Sequence, residues 1–267
     1  MPTVSEVHGF LESIAPQGMK MESDNVGFLV GQKDAQVSKI LVSLDITSDV
    51  VSEALDIGAG LIVAHHPLFF SLKSITDMDT NGKKIVRLLS SGISAICMHT
   101  NLDAARGGVN DALAVVVGIA DDECEAELLS EDGRHSSGEA FSYGRVGYLK
   151  NAYSMPEYLE MLKKALNTNG LRYHDAGREV YKVAVVGGSG GDRFEFVVKN
   201  DCDTFVTADI KYHTFLEAKE LGINLIDGDH FCTENVVVKV LADKLQKEFP
   251  NTEVQVSERH VQTAKFY

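Results

Sequence analysis

Apolar residues along this chain fall into two kinds of pattern, and the two alternate. From residue 40, ILVSLD reads as a buried strand, SDVVSEALDIGAG as a helix, LIVAH as a strand, GKKIVRLLSSGI as a helix, SAICMH as a strand and GGVNDALAVVVGI as a helix. Short, continuous apolar runs suit strands covered on both faces, and the periodic segments between them suit crossover helices. The alternation predicts an α/β fold on a mainly parallel sheet with helices on its faces. From residue 182 the order recurs as KVAVVGG, GDRFEFVVKN, DTFVTAD, HTFLEAKELGI, NLIDGDH and NVVVKVLADKL. LLSSGI and AKELGI precede the third strand of each series, and H-x-x-x-D and H-x-x-x-E follow it. Strand–helix alternation is common in large domains, so the matching histidine–acid pairs carry the comparison. They predict an internal duplication of two similar α/β/α halves, with residues 40–118 superposable on 182–248.

Residues 121–180 differ in character and predict a small α+β insert, dividing the chain into 1–120, 121–180 and 181–267. The insert opens on an acidic run, DDECEAELLSED, read as a solvated connector, and continues through the Ser/Gly-rich RHSSGEAFSYG. A strand, GRVGYLK, and a helix, SMPEYLEMLKKALN, complete it, with Ser154 as N-cap and Pro156 in the first turn. At the amino end, Thr3 and Glu6 form a capping-box pattern before an amphipathic helix. No basic start precedes an apolar stretch there, so a signal peptide is not expected. Apolar runs such as LIVAHHPLFF stop at about half of the ~20 residues a membrane helix needs. A soluble chain without a membrane role is expected.

Composition narrows the partners. With 267 residues the chain can bury a large core. Its formal charge of −14 lacks the positive field that phosphate contacts need, which makes nucleic acid a poor partner. Four cysteines without a C-x-x-C pair fit a reducing cytoplasm better than a disulfide framework.

The candidate chemistry lies at the strand ends. His65 and His66 close an apolar run in LIVAHHP. Neighbouring side chains on a regular strand point to opposite faces, so both rings share a site only where the strand is ending. Pro67 supports that, because it holds His66 extended and forbids an immediate helix. Ligands of open α/β sheets bind at this carboxyl edge. His99 and Asp103, and His230 and Glu234, would each share a face of a helical turn. Alone, any of these histidines is more often a hydrogen-bonded structural residue, and either acid suits a helix start. Together they predict a metal centre. Imidazoles favour zinc, iron, cobalt or nickel over magnesium, and carboxylates can bridge two cations. The donors exceed what one catalytic zinc needs, so two ions sharing a carboxylate are expected. His99 is alternatively an orienting group. Cys97 and Cys232 read as buried fillers. GGSGGD (187–192) is a weak phosphate-loop candidate or a tight turn. In TADIKYH (207–213), Asp209, Tyr212 and His213 either face the cleft or cap the following helix.

AHHPLFF, MHTNLDAA, GRVG, VVGGSGGD, TADIKYH and DGDHFCTE, in that order over nearly the whole chain, resemble the Nif-three-like proteins, the GTP cyclohydrolase I type 2 homologues. The resemblance implies two intertwined, similar α/β/α domains, a dinuclear metal site and a ring-shaped homohexamer. It implies His65, His66, Asp103, His230 and Glu234 as ligands of two divalent ions (zinc, iron, manganese, cobalt or nickel), with His99 and His213 facing the cleft as acid–base candidates. The expected activity is metal-dependent hydrolysis of a small nucleotide- or pterin-like ring. The rival expectation is a metal-carrying scaffold that presents a ring surface to a partner without turnover.

Overall fold

The structure, a computed structural model, describes residues 1–121 and 123–267. The chain begins with α1 (Val4–Ile14), β1 (Gly27–Val30), β2 (Lys39–Ser43), α2 (Ser48–Ile57), β3 (Leu61–Ala64), α3 (Thr80–Ser90), β4 (Ser94–Cys97), α4 (Thr100–Ala104) and α5 (Val109–Val117). A connector holds β5 (Glu127–Leu128), β6 (Gly133–Arg134), β7 (Ala140–Phe141) and β8 (Arg145–Tyr153). There follow α6 (Met155–Ala165), β9 (Arg172–His174), β10 (Val180–Ser189), α7 (Phe194–Lys199), β11 (Thr204–Ala208), α8 (Tyr212–Leu221), β12 (Asn224–Asp227), α9 (His230–Glu234), α10 (Val236–Glu248) and β13 (Glu253–Val256).

Two compact units form, one from Met1–Ala105 with Val238–Val261, the other from Arg106–Val237 with Gln262–Tyr267. The sheet of the first runs β1-β4-β3-β2-β13. Its strands β13, β2, β3 and β4 are parallel, and β1 is antiparallel to β4. The sheet of the second runs β5-β8-β10-β11-β12-β9, with β10, β11 and β12 parallel and β8 and β9 antiparallel to their neighbours. One order thus occurs twice, as β1-β4-β3-β2 and β9-β12-β11-β10. A capping box opens the helix before each series. In α1 the Glu6 N–H donates to Thr3 Oγ1 at 3.2 Å and the Thr3 N–H to Glu6 Oε2 at 2.7 Å. In α6 the Ser154 N–H donates to Glu157 Oε2 at 3.0 Å. Such boxes satisfy amide donors that a helix start leaves open.

The units interleave the chain where the sequence suggested contiguous segments. Helix α5 follows α4 but lies in the second unit, and α10, from Val238 on, lies in the first. The reason is apolar: Leu113, Ala114 and Val117 of α5 are buried with Tyr158, Leu162, Val183, Val185 and Val206. Each fully buried aliphatic side chain contributes about 1.5–3 kcal/mol, so the amphipathic helix goes where its stripe is covered. Helix α6, read from sequence as part of the insert, occupies in the second series the place of α1 in the first.

The connector is more structured than a solvated linker. Leu129 and Phe141 are buried, β5 pairs with β8, and β6 pairs with β7. Asp122, within the acidic run, lies outside the described residues. Among the described residues no helix is long and apolar enough to cross a membrane.

Candidate metal centre

In the first unit, β3 stops at Ala64 and its ladder continues only through the backbone. The His65 N–H donates to Leu44 O at 3.1 Å and the His66 N–H to the same carbonyl at 2.8 Å. Two successive amides sharing one acceptor cannot follow strand alternation, and both rings fall on one side with centroids 4.9 Å apart. His99, the N-cap of α4, joins them at 5.2 Å from His65 and 5.5 Å from His66. One nitrogen from each of the three lies within 4.8 Å of the others. The single turn of α4 carries Asp103 back over His99, and its Oδ1 lies 3.6 Å from His65 Nε2.

What fixes the rings is consistent. Nδ1 of His65 lies 2.8 Å from Met98 O, a carbonyl that can only accept, so Nδ1 carries the proton. Nδ1 of His66 meets Asp45 Oδ1 at 2.8 Å, and Nδ1 of His99 meets Asp24 Oδ1 at 2.8 Å. Burial pushes the Asp24 and Asp45 carboxyls up, but the hydrogen bonds outweigh it: His99 and Thr100 on Asp24, and His260 and His66 on Asp45, hold both well below the usual carboxylate range. Both are therefore anionic partners of the rings. Committing Nδ1 leaves Nε2 with the lone pair, the arrangement that orients histidine toward a metal.

The second unit repeats the device. His230 opens α9 and Glu234 ends it. His230 Nε2 lies 3.0 Å from Glu234 Oε2, and its Nδ1 2.7 Å from Asp209 Oδ2. The hydrogen bond to Glu234 raises the imidazolium pKa to about 9 against the opposing effect of burial, with Asp209 adding to the rise. TADIKYH reaches this pair through Asp209, in a left-handed turn at φ +52°. Tyr212 and His213 are exposed on the opening turn of α8.

Three amides of GGSGGD are engaged within the unit. The amides of Gly187, Gly188 and Gly190 donate to Asn110 Oδ1 at 2.9 Å, Thr233 Oγ1 at 3.1 Å and Thr207 Oγ1 at 2.9 Å. None of these three is left for an anion. Gly188 has φ +62°, and a Cβ on it would stand 2.0 Å from Glu234 Oε1. The glycine lets the end of β10 pass against the His230–Glu234 pair.

The donors fit a divalent ion of intermediate softness. Each unit places imidazole beside a carboxylate, Asp103 near His65 in the first and Glu234, only 4% exposed, against His230 in the second. Cys97 and Cys232 are buried fillers. The Cys97 thiol donates to His65 O and burial pushes its pKa well up, and burial pushes Cys232 up to about 11. Sequence reasoning missed Asp24, Asp45 and His260, whose Nε2 lies 3.1 Å from Asp45 Oδ2. Asp45 follows β2 at the same edge as the histidines, and that position was its one signal.

The model of the Duf34/NIF3 (NGG1p interacting factor 3) family matches residues 2–264. The chain belongs to this family. The Duf34/NIF3 relatives include the GTP cyclohydrolase 1 type 2 homolog of Clostridium acetobutylicum, 34% identical over 98% of this chain and 98% of that protein. The protein of the same name from Clostridium perfringens is 35% identical over 91% of each chain. The Bacillus cereus protein related to NIF3 superposes with a TM-score of 0.92 at 25% identity, covering 100% of this chain and 99% of that one. The α/β architecture described above is thus the Duf34/NIF3 fold.

Proposed function

We propose that His65, His66, Asp103, His230 and Glu234 hold a pair of divalent ions, and that the chain is a metal-dependent hydrolase of a small molecule with a nucleotide- or pterin-like ring. The observation that carries the metal reading is the hold on Nδ1 of His65, His66 and His230 by Met98 O, Asp45 and Asp209, the support that orients Nε2 of a ligating histidine; Nε2 of His230 lies against the Glu234 carboxylate, the other donor of its pair. The recurrence of element order supports treating the two histidine–acid pairs as duplicated counterparts. The relatives' name supports the ring substrate.

When bound, such ions supply a Lewis acid that lowers the pKa of water toward neutrality. The chain's own contribution is positional. Asp24 fixes the Nδ1 proton of His99, so its Nε2 can accept and return a proton. Of the two acid–base candidates His99 has this fixed partner, whereas His213 is exposed. Zinc, iron, manganese, cobalt and nickel all suit the donors. A ring-shaped homohexamer in a reducing cytoplasm completes the proposal.

The test removes metal by chelation, restores each ion in turn, and follows a nucleotide and pterin panel by mass spectrometry. Product that vanishes with chelation and returns with metal supports the hydrolase. Turnover by demetallated protein removes the ions from the mechanism, and no product from fully loaded protein favours the scaffold. A monomer by light scattering counts against the hexamer.

A further inference from the structure

Within the first unit a recess of about 390 Å³ opens beside His66, walled by the turn from β2 to α2, the segment after β3 and the first turn of α3. Holding a cation at His66 does not require the chemistry of its other walls. The Lys84 ammonium, half-buried, donates to Ile46 O at 2.8 Å, and an ammonium has three donors. Thr47 Oγ1 accepts from the Val50 N–H at 3.1 Å, which leaves its own O–H to donate. Asn81 adds an exposed amide. Asp45 is the one acid in the wall, and its two oxygens are taken by His66 and His260. Phe70 also lines the recess. It is 63% exposed, with its ring centroid 6.0 Å from that of His99. An exposed aromatic ring beside catalytic-type histidines, facing a set of hydrogen-bond donors, has the composition of a small-molecule pocket: apolar surface with a few placed polar groups.

We propose that this recess is the substrate pocket of the centre and takes a planar aromatic ring bearing an anionic group, phosphate or carboxylate. The ring lies against Phe70, and the anion is met by Lys84, Thr47 and Asn81. The volume is near the small end of ligand pockets, roughly 300–1,000 Å³, and suits one ring system with its anion rather than a dinucleotide. The inference rests on the metal reading only in placing the ring's reacting side toward His66. The ring and anion contacts do not depend on an ion.

Calorimetric titration of metal-loaded and metal-free protein tests it, with guanosine monophosphate, guanosine, pterin-6-carboxylate and pterin as probes and metal content measured alongside. At least one anion should bind more tightly than its neutral counterpart, by about tenfold, and which one does so distinguishes phosphate from carboxylate. Lys84→Met should abolish that preference while leaving the neutral probe unchanged, and Lys84→Arg should restore most of it. A merely structural Lys84 would weaken both probes equally. Phe70→Ala should weaken anionic and neutral probes alike, on the order of tenfold, and Phe70→Tyr should not. Unaltered metal content with binding indifferent to Lys84 and Phe70, or no binding of either anion, overturns the pocket and leaves the metal reading standing. Absent metal with the probe preferences intact has the reverse meaning.

Discussion

Replacing Gly188 by alanine perturbs the second donor pair without touching a donor. At φ +62° an alanine sits in the left-handed region, a cost of about 1–2 kcal/mol. Its Cβ would lie 2.0 Å from Glu234 Oε1, 2.9 Å from Glu234 Cδ and 3.2 Å from His230 Cε1. Restoring van der Waals contact moves the carboxylate by more than about 1 Å, beyond the roughly 0.5 Å that a binding constellation tolerates. Metal affinity should fall about 10–100-fold, the loss typical of disturbed ligand support. Stability should fall only by the backbone strain, a Tm decrease of roughly 2–8 °C. Gly191→Ala is the control in the same motif, since its Cβ would meet only Thr214 Oγ1 at 3.9 Å. Competition between protein and a chelator of known affinity, with circular dichroism melts of the same samples, measures both quantities. Wild-type affinity in Gly188→Ala, or an equal loss in Gly191→Ala, would refute the steric reasoning.

Three further outcomes are expected. Asp45→Asn removes the charge that fixes His66 and should weaken metal binding about 10–100-fold with an unchanged fold; unchanged affinity would remove Asp45 from the centre. Arg145, fully buried, donates to Ser142 O at 2.8 Å and Gly144 O at 3.0 Å and pairs with Asp111. Arg145→Met should cost about 3–5 kcal/mol in urea unfolding, and a cost below about 1 kcal/mol would contradict that. Burial pushes the Cys202 and Cys232 thiols up to about 11 and Cys97 well above its usual value, whereas Cys124 is exposed. With a pKa near 11, about one thiol in a thousand is ionised at pH 8, so a disulfide reagent should titrate one thiol rapidly in native protein and all four after unfolding. A second rapid native thiol would overturn this.

The six central strands were legible in the sequence because parallel strands covered on both faces leave unbroken apolar runs: β3 (LIVA) and β4 (SAIC) are buried at every position. The edge strands were not. RYH of β9 is largely exposed, EVQV of β13 is only half-buried, and both carry too few apolar residues to register. Nor does an amphipathic helix name the sheet it will cover, so the exchange of α5 and α10 was invisible until their contacts were known. At the site, H-x-x-x-D and H-x-x-x-E were readable because one helical turn brings each pair together. The orienting acids come from elsewhere: Asp24 is 75 residues from His99, and Asp45 and Asp209 are each 21 from their histidines. GGSGGD was ambiguous because glycines that cradle an anion and glycines that let a side chain approach have the same composition. The decision came from Asn110, Thr207 and Thr233, which take the amides.

Anomalous diffraction from metal-reconstituted crystals tests the proposed dinuclear centre most directly. Two peaks are expected, with Nε2 of His65, His66 and His230 at about 2.0–2.1 Å and oxygens of Asp103 and Glu234 at about 2.0–2.2 Å. Coordination through Nδ1, a single ion, or peaks away from these five residues would contradict it.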